Sequence, residues 1–365
     1  MKKYISVLVA AVMASSIICA CGNQAPQNAS AAGTSAANAA EAVSDTSGDG
    51  NISIVTTIFP EYDWVKNIVG ENPANAEITM LLDNGVDLHS YQPTAEDISK
   101  IATCDMFVYV GGESDEWVDD ALKEATNKNM VVINLLDVLG EDIKEEEVVE
   151  GMEHEHEHEE GEEHEHEEGE EHEEGEEHEH EHEEGEVEYD EHVWLSLKNA
   201  EKLCGAIKDG MVSVDEANKD VYEKNEADYI SKLEALDGEY DKAVKAGSKK
   251  TLLFADRFPF RYLVDDYGIE YFAAFVGCSA ETEASFETIT FLSKKVDELG
   301  LSSIMTIENN DHKIAETVKK STSKKDQNIL TMDSMQSTTS KDVEGGVTYL
   351  SVMEGNLEVL KEALK

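Results

Sequence analysis

Two hydrophobic patterns alternate along this chain. Short apolar runs, several of them β-branched and bounded by Gly, Asp or Asn, predict strands over 52–57, 76–82, 106–110 and 130–135. A second set falls over 251–255, 269–275, 302–307 and 328–332. Between them apolar residues recur three or four positions apart, which predicts helices such as 95–102 and 286–299. Strands alternating with helices imply parallel sheets covered on both faces. One long helical pattern parts the two strand sets, with Tyr222, Glu226, Tyr229, Leu233, Leu236, Tyr240 and Val244 along a single face. A helix over 214–246 would span about 50 Å at ~1.5 Å per residue. Its simplest use is as a rigid strut. The expected class is therefore α/β, with two lobes, each a mostly parallel sheet flanked by helices, joined by one long rigid helix. The expected bounds are 51–205 for the N-terminal lobe, 206–248 for the linking helix and 249–365 for the C-terminal lobe.

The first 50 residues break both patterns. Lys2 and Lys3 precede an apolar stretch over 5–14 that is too short to reside across a bilayer. The stretch runs into Ile18-Cys19-Ala20-Cys21-Gly22, which resembles a bacterial lipoprotein cleavage site. Residues 1–20 are expected to be a signal peptide, with Cys21 the lipidated residue. Residues 21–50, rich in Ala, Ser, Gly, Thr and Asn, are expected to form a flexible tether. These features predict an extracytoplasmic protein anchored to the cell membrane through its lipid.

Charge then narrows the partners. The chain has 365 residues, 80 Asp and Glu against 29 Lys and Arg, and a formal charge of -51. Phosphate binding needs a basic face, so nucleic acid is excluded as a partner and cations are favoured. The acidity is local: 28 of those acidic residues and no Lys or Arg lie within 145–191. The same window holds His154, His156, His158, His164, His166, His172, His178, His180 and His182. A His/Glu repeat cannot form a packed core, so an insert over 144–189 is expected to be disordered. Its imidazoles and carboxylates suit loose capture of metal ions. His154-Glu155-His156-Glu157-His158 matches H-E-x-x-H only because the repeat generates it, and no stable helix is expected there.

Specific chemistry is expected beyond the carboxyl ends of the parallel strands. His89 lies in the segment 83–93 that follows 76–82, and His192 follows the insert. In the second lobe Asp256 and Arg257, Glu308, and Asp333 each follow a strand. Two imidazoles with carboxylate from the other lobe would make a closed site for a divalent transition metal. Imidazole suits zinc, and added carboxylate also admits manganese. His312 sits in a helix-start context and reads as surface. Cys104, Cys204 and Cys278 are too few for a disulfide scaffold; one pair could bridge, and their spacing does not choose which. No G-x-S-x-G elbow, helix-borne H-E-x-x-H or phosphate loop is present, so a hydrolase ranks last and no enzyme is expected.

The stretch Gly85, Asp87, His89, Tyr91, Pro93 fits G-x-D-x-H-x-Y-x-P, followed by Val110-Gly111-Gly112, Glu116 and Trp117. Asp190, His192, Trp194 and Leu195 fit D-x-H-x-W-L, with Asn199 and Ala200 after them. Together these resemble the metal-binding receptors of bacterial ABC importers for zinc and manganese, over roughly 50–360. A His-rich acidic insert before the second His is typical of zinc-specific members. The resemblance implies metal bound between two α/β lobes and delivered to an ABC permease. It implies His89, His192 and, as the carboxylate, Asp333 as ligands. At the third ligand position the sequence departs: Phe260, Tyr262, Tyr267 and Gly268 match, and this alignment places Arg257 there. A guanidinium stays protonated and cannot ligate. Asp256, one residue away, is the expected substitute, with Cys278, Glu281 or water as the other choices. The expected cargo is Zn2+, with Mn2+ as the alternative; a surface adhesin or metal-sequestering lipoprotein is the other reading.

Overall fold

The computed structural model describes residues 51–152, 188–279 and 283–365. The expected signal peptide, the tether, Cys21, the nine insert histidines and Glu281 lie outside the described residues. Among the described residues, eight strands form two four-stranded parallel sheets. The first contains β1 (Ser53–Thr56), β2 (Glu77–Met80), β3 (Met106–Tyr109) and β4 (Val131–Asn134), in the order β2-β1-β3-β4. The second contains β5 (Thr251–Phe258), β6 (Glu270–Val276), β7 (Ser303–Ile307) and β8 (Asn328–Met332), in the order β6-β5-β7-β8. Each predicted run is found as a strand. Central strands are the most apolar because helices cover both their faces: Ile54 and Val55 in β1, Met106 to Val108 in β3 and all of β7 are buried.

The helices are α1 (Phe59–Val69), α2 (Ala95–Thr103), α3 (Trp117–Lys123), α4 (Leu135–Leu139), α5 (Leu197–Val214), α6 (Lys219–Ala246), α7 (Arg261–Tyr267), α8 (Phe286–Leu299), α9 (Lys313–Ser321), α10 (Ser340–Glu344) and α11 (Tyr349–Ala363). The strut is α6, 28 residues long, and it begins at Lys219. Periodicity alone runs through Val214, but the backbone turns at Asp215 (φ -146°, ψ 76°). The Asp215 carboxylate accepts from Asn218 Nδ2 at 2.6 Å and the Tyr222 hydroxyl at 2.7 Å, which fixes the break. α6 rests on α1 and α5 in the first lobe and on α7 and α11 in the second. Tyr222, Tyr229, Leu233, Leu236, Tyr240 and Val244 form its buried face.

One apolar cluster runs through both lobes, from Ile54 and Phe107 through Leu203 and Tyr229 to Phe254, Met332 and Leu357. A smaller cluster around Leu253, Leu292 and Ile304 serves the outer side of the second sheet. Because the lobes share an interior, moving one against the other shears buried contacts, which resists large hinge motion. Hydrogen bonds cross the same boundary: Trp194 Nε1–H donates to the Ser334 carbonyl at 2.8 Å, and the Tyr349 hydroxyl donates to the Trp194 carbonyl at 2.7 Å.

The His/Glu insert leaves the body through a closed base. Glu145 and Tyr189 pair antiparallel, Glu146 N–H donates to Glu188 O at 2.9 Å, and Asp190 N–H donates to Lys144 O at 2.9 Å. The strand-like segment after Lys144 lies on the second lobe. There Tyr271 donates to Glu147 at 3.0 Å and Cys278 N–H donates to Glu146 at 3.2 Å. No helix among the described residues is long and apolar enough to cross a membrane.

Candidate metal centre

His89 sits on a single 3₁₀ turn, Leu88–Ser90, just beyond β2. Asp87 caps that turn, accepting the His89 N–H at 3.1 Å. His192 precedes a second such turn, Val193–Leu195, and its own N–H donates to Asp190 at 2.8 Å. Both imidazoles therefore stand at short 3₁₀ turns, and in each case an aspartate two residues earlier holds the histidine N–H. Their Nε2 atoms face each other at 3.2 Å.

The other ring nitrogens are held by acceptors. His192 Nδ1 lies 3.0 Å from Asp190 Oδ1. His89 Nδ1 lies 2.8 Å from Ser114 Oγ and 3.4 Å from Glu191 Oε2. A carboxylate only accepts, so His192 Nδ1 carries the hydrogen and its Nε2 keeps its lone pair, while the Ser114 hydroxyl at His89 Nδ1 can take the acceptor role that gives the same tautomer. This arrangement of outer partners orients histidine for metal ligation. Burial opposes ionisation of Glu191, yet its bonds from His89 and Ser114 outweigh that and hold it below the usual carboxylate range. Gly112 makes room for it: at φ +82°, any Cβ there would strike the Glu191 side chain.

The third group is Cys278, just past β6. One ligand atom each from His89, His192 and Cys278 lie within 4.8 Å of one another, and this is the metal-type cluster found among the described residues. Gly277 permits the approach, since a Cβ there would sit 2.9 Å from His192 Cε1. Burial, and then the charges of Glu146, Asp190 and Glu191, push the Cys278 thiol far above its ordinary range. It therefore holds its proton until a cation competes for the sulfur. All three described cysteines are free thiols, and Cys104 and Cys204 are buried in the interior.

Gln336, beyond β8, closes the group. Its Nε2 lies 2.7 Å from His192 Nε2 and 3.1 Å from His89 Nε2. The Ser334 hydroxyl at 3.2 Å holds its amide oxygen on the other side. An NH2 group aimed at two lone pairs stands where a cation would stand. Sequence reasoning missed Gln336 because a neutral amide is a weak metal donor; its position just past a strand end was the available signal.

The two carboxylates singled out from sequence lie outside this cluster. Asp256 is buried with both oxygens engaged in its own lobe, accepting from Arg257 N–H at 2.9 Å, Ile307 N–H at 3.0 Å and Asn310 Nδ2 at 2.7 Å. Asp333 accepts the Met335 N–H at 2.8 Å. Burial and the charge of Asp333 push neighbouring Glu308 up to about 7; Glu308 accepts from Ser334 N–H at 2.7 Å and Ser334 Oγ at 2.6 Å. His312 is half-buried at the start of α9, outside the cluster. His192 is fully buried and the His89 side chain is 11 % exposed, so the open side of the centre is the His89 side.

Two parallel sheets with a shared interior and a His–His–Cys group at their common edge define a two-lobed binding protein. Residues 54–363 match the family described as ZnuA, zinc-uptake complex component A, periplasmic. This chain belongs to that family. It is 31% identical over 318 residues to the zinc-binding lipoprotein AdcA of Streptococcus pneumoniae, covering 86% of this chain and 56% of AdcA. It thus spans about half the length of those relatives. It is 29% identical over 348 residues to the high-affinity zinc uptake system protein ZnuA of Bacillus subtilis, covering 95% of this chain and 94% of that protein. Its fold matches the crystal structure of the Zn(II)-bound ZnuA-like domain of S. pneumoniae AdcA, with a TM-score of 0.63, 28% identity, and coverage of 86% of this chain and 99% of the other. It also matches the metal-dependent lipoprotein YcdH of B. subtilis, with a TM-score of 0.65, 26% identity, and coverage of 86% and 99%.

Proposed function

We propose that this protein is a non-enzymatic receptor that captures Zn2+ between its lobes outside the cytoplasm and hands it to the permease of an ABC importer. The observation that carries this reading is the convergence of His89, His192 and Cys278, one ligand atom from each within 4.8 Å of the others, with both Nδ1 atoms held by outer partners. The zinc-binding relatives support the choice of cargo. The donor set supports it as well, because a thiolate favours zinc over manganese.

In this reading His89 and His192 supply nitrogen and Cys278 supplies sulfur. Gln336 gives way as the metal enters, and Asp333, three residues before it, is drawn in as the oxygen donor. Asp256 braces the end of β5 rather than ligating, since three donors already occupy its oxygens. Lipid on Cys21 would hold the receptor at the membrane, and the insert histidines 154–182 would gather ions near the centre.

The test is calorimetric titration of Zn2+ into the intact protein, His89→Ala, His192→Ala and a form lacking residues 153–187. One tight site is expected in the intact and deleted forms, with the weak sites confined to the intact one. Each alanine variant should weaken the tight site by more than about 100-fold, the upper end of the cost of losing an outer partner alone. Tight binding that survives both alanine substitutions sinks the reading.

A further inference from the structure

Arg257 occupies the place where a protein ligand was expected, and its guanidinium is used otherwise. The pairing of β5 with β6 slips between Phe254 and Arg257, a bulge that re-aims the side chain. Asp256 pins that bulge through Ile307 N–H and Asn310. Arg257 Nη2 then reaches across the lobe boundary to Asp87 Oδ2 at 2.8 Å. Nη1 donates to the Ser279 carbonyl at 3.4 Å.

Each of those partners adjoins a residue of the centre. Asp87 caps the turn that carries His89 through its other oxygen. Ser279 follows Cys278 in sequence. One planar cation therefore joins the His89 turn of the first lobe to the Cys278 turn of the second. Arginine suits this role because its fork can hold two acceptors at fixed spacing. The Arg257 and Asp87 side chains are each 22% exposed, which limits screening. Both residues, with Gln336, also line a cavity of about 860 Å³ beside the centre. Burial opposes the charge on Asp87, but Arg257 and His89 outweigh it and keep the carboxyl below its usual range.

We infer that Arg257 is a positioning residue whose ion pair with Asp87 latches the His89 and Cys278 turns together and thereby sets how fast the bound cation leaves. The inference rests on the receptor reading above. Opening the pair separates two donors at once, so release is faster while the donors themselves are unchanged. Loss of one partner of a shielded charge pair acts mainly on dissociation.

The experiment measures Zn2+ release into excess chelator by stopped flow for wild type, Arg257→Gln, Arg257→Lys, Asp87→Asn and the Gln/Asn double variant. The Co2+-loaded forms are compared by absorption. Arg257→Gln and Asp87→Asn should each release Zn2+ about 10- to 100-fold faster. The double variant should be no faster than the quicker single one, because both break the same link. Arg257→Lys should be intermediate, since an ammonium can pair with Asp87 but cannot span to Ser279. The thiolate-to-Co2+ band should persist in all, a signature that a general loss of structure would erase. Asp87→Asn keeps the cap on His89 and carries the test if Arg257→Gln fails to fold. Wild-type release rates in these variants, or additive effects in the double one, overturn the latch. The receptor reading fails by a different result, tight binding that ignores His89 and His192.

Discussion

His89 and His192 are 103 positions apart in the chain, yet their Nε2 atoms lie 3.2 Å from each other. The side-chain nitrogen of Gln336 lies beside the pair, 2.7 Å from His192 Nε2 and 3.1 Å from His89 Nε2. In the proposed receptor a cation would take the place of that amide. The surrounding residues translate this into measurable expectations.

Replacing Gln336 by Glu should tighten Zn2+ binding by about tenfold or more, or ~1.4 kcal/mol, because a carboxylate contributes an oxygen donor where the amide only fills space. Competition with a chelating dye measures this. Unchanged or weaker binding would mean that Gln336 does not occupy the metal position.

Cys278→Ser should remove the thiolate charge-transfer band of the Co2+-loaded protein and weaken Zn2+ by at least about tenfold. The raised thiol predicts a further effect. Each Zn2+ bound should release close to one proton near neutral pH, and the serine variant should release fewer. Heats of binding compared across buffers of different ionisation enthalpy read that number directly.

Asp190→Asn keeps the size of the side chain but loses the acceptor-only group on His192 Nδ1. An amide can turn a hydrogen toward the ring and favour the wrong tautomer. Zn2+ affinity should fall by about 10- to 100-fold with the fold intact. Wild-type affinity in this variant would show that the outer bond does not orient His192.

Stability should depend on pH through Asp63, away from the centre. Burial, against bonds from Tyr349 N–H, Tyr229 and Asn67, raises this carboxyl to about 6. A group whose folded pKa is raised contributes its full stability below the unfolded value of 3.8 and loses it as pH rises through about 6. The full loss is about 3 kcal/mol, of which about 2.4 kcal/mol falls between pH 4 and 7. Asp63→Asn should therefore gain on wild type by about that amount over this range in urea denaturation of metal-free protein. An equal difference at both pH values would refute it.

The strands and most helices were legible because each is encoded locally. The 286–299 pattern coincides with α8 since Ser285 caps its start and Gly300 ends it in the left-handed region. The strut was placed correctly at its far end but extended too far at the near one, because the break at Asp215 depends on two side-chain bonds rather than on polarity. At the centre, His89 stood out by type and by its position past a strand end, and His192 by type and by its motif just after the insert. That Cys278 and not Asp256 lies with the two histidines is a matter of distances in the fold, which residue spacing does not carry. The pairing of Arg257 with Asp87 spans 170 positions and leaves no local trace.

The closed base at Glu145 and Tyr189 has an evolutionary consequence. The segments on either side of the insert meet at one paired point. Closing a longer loop on the same base costs little, about 0.6 kcal/mol per doubling. Repeat units can therefore be gained or lost by slippage without disturbing the lobes. A change in the number of histidines between these two points would leave the paired base as it is.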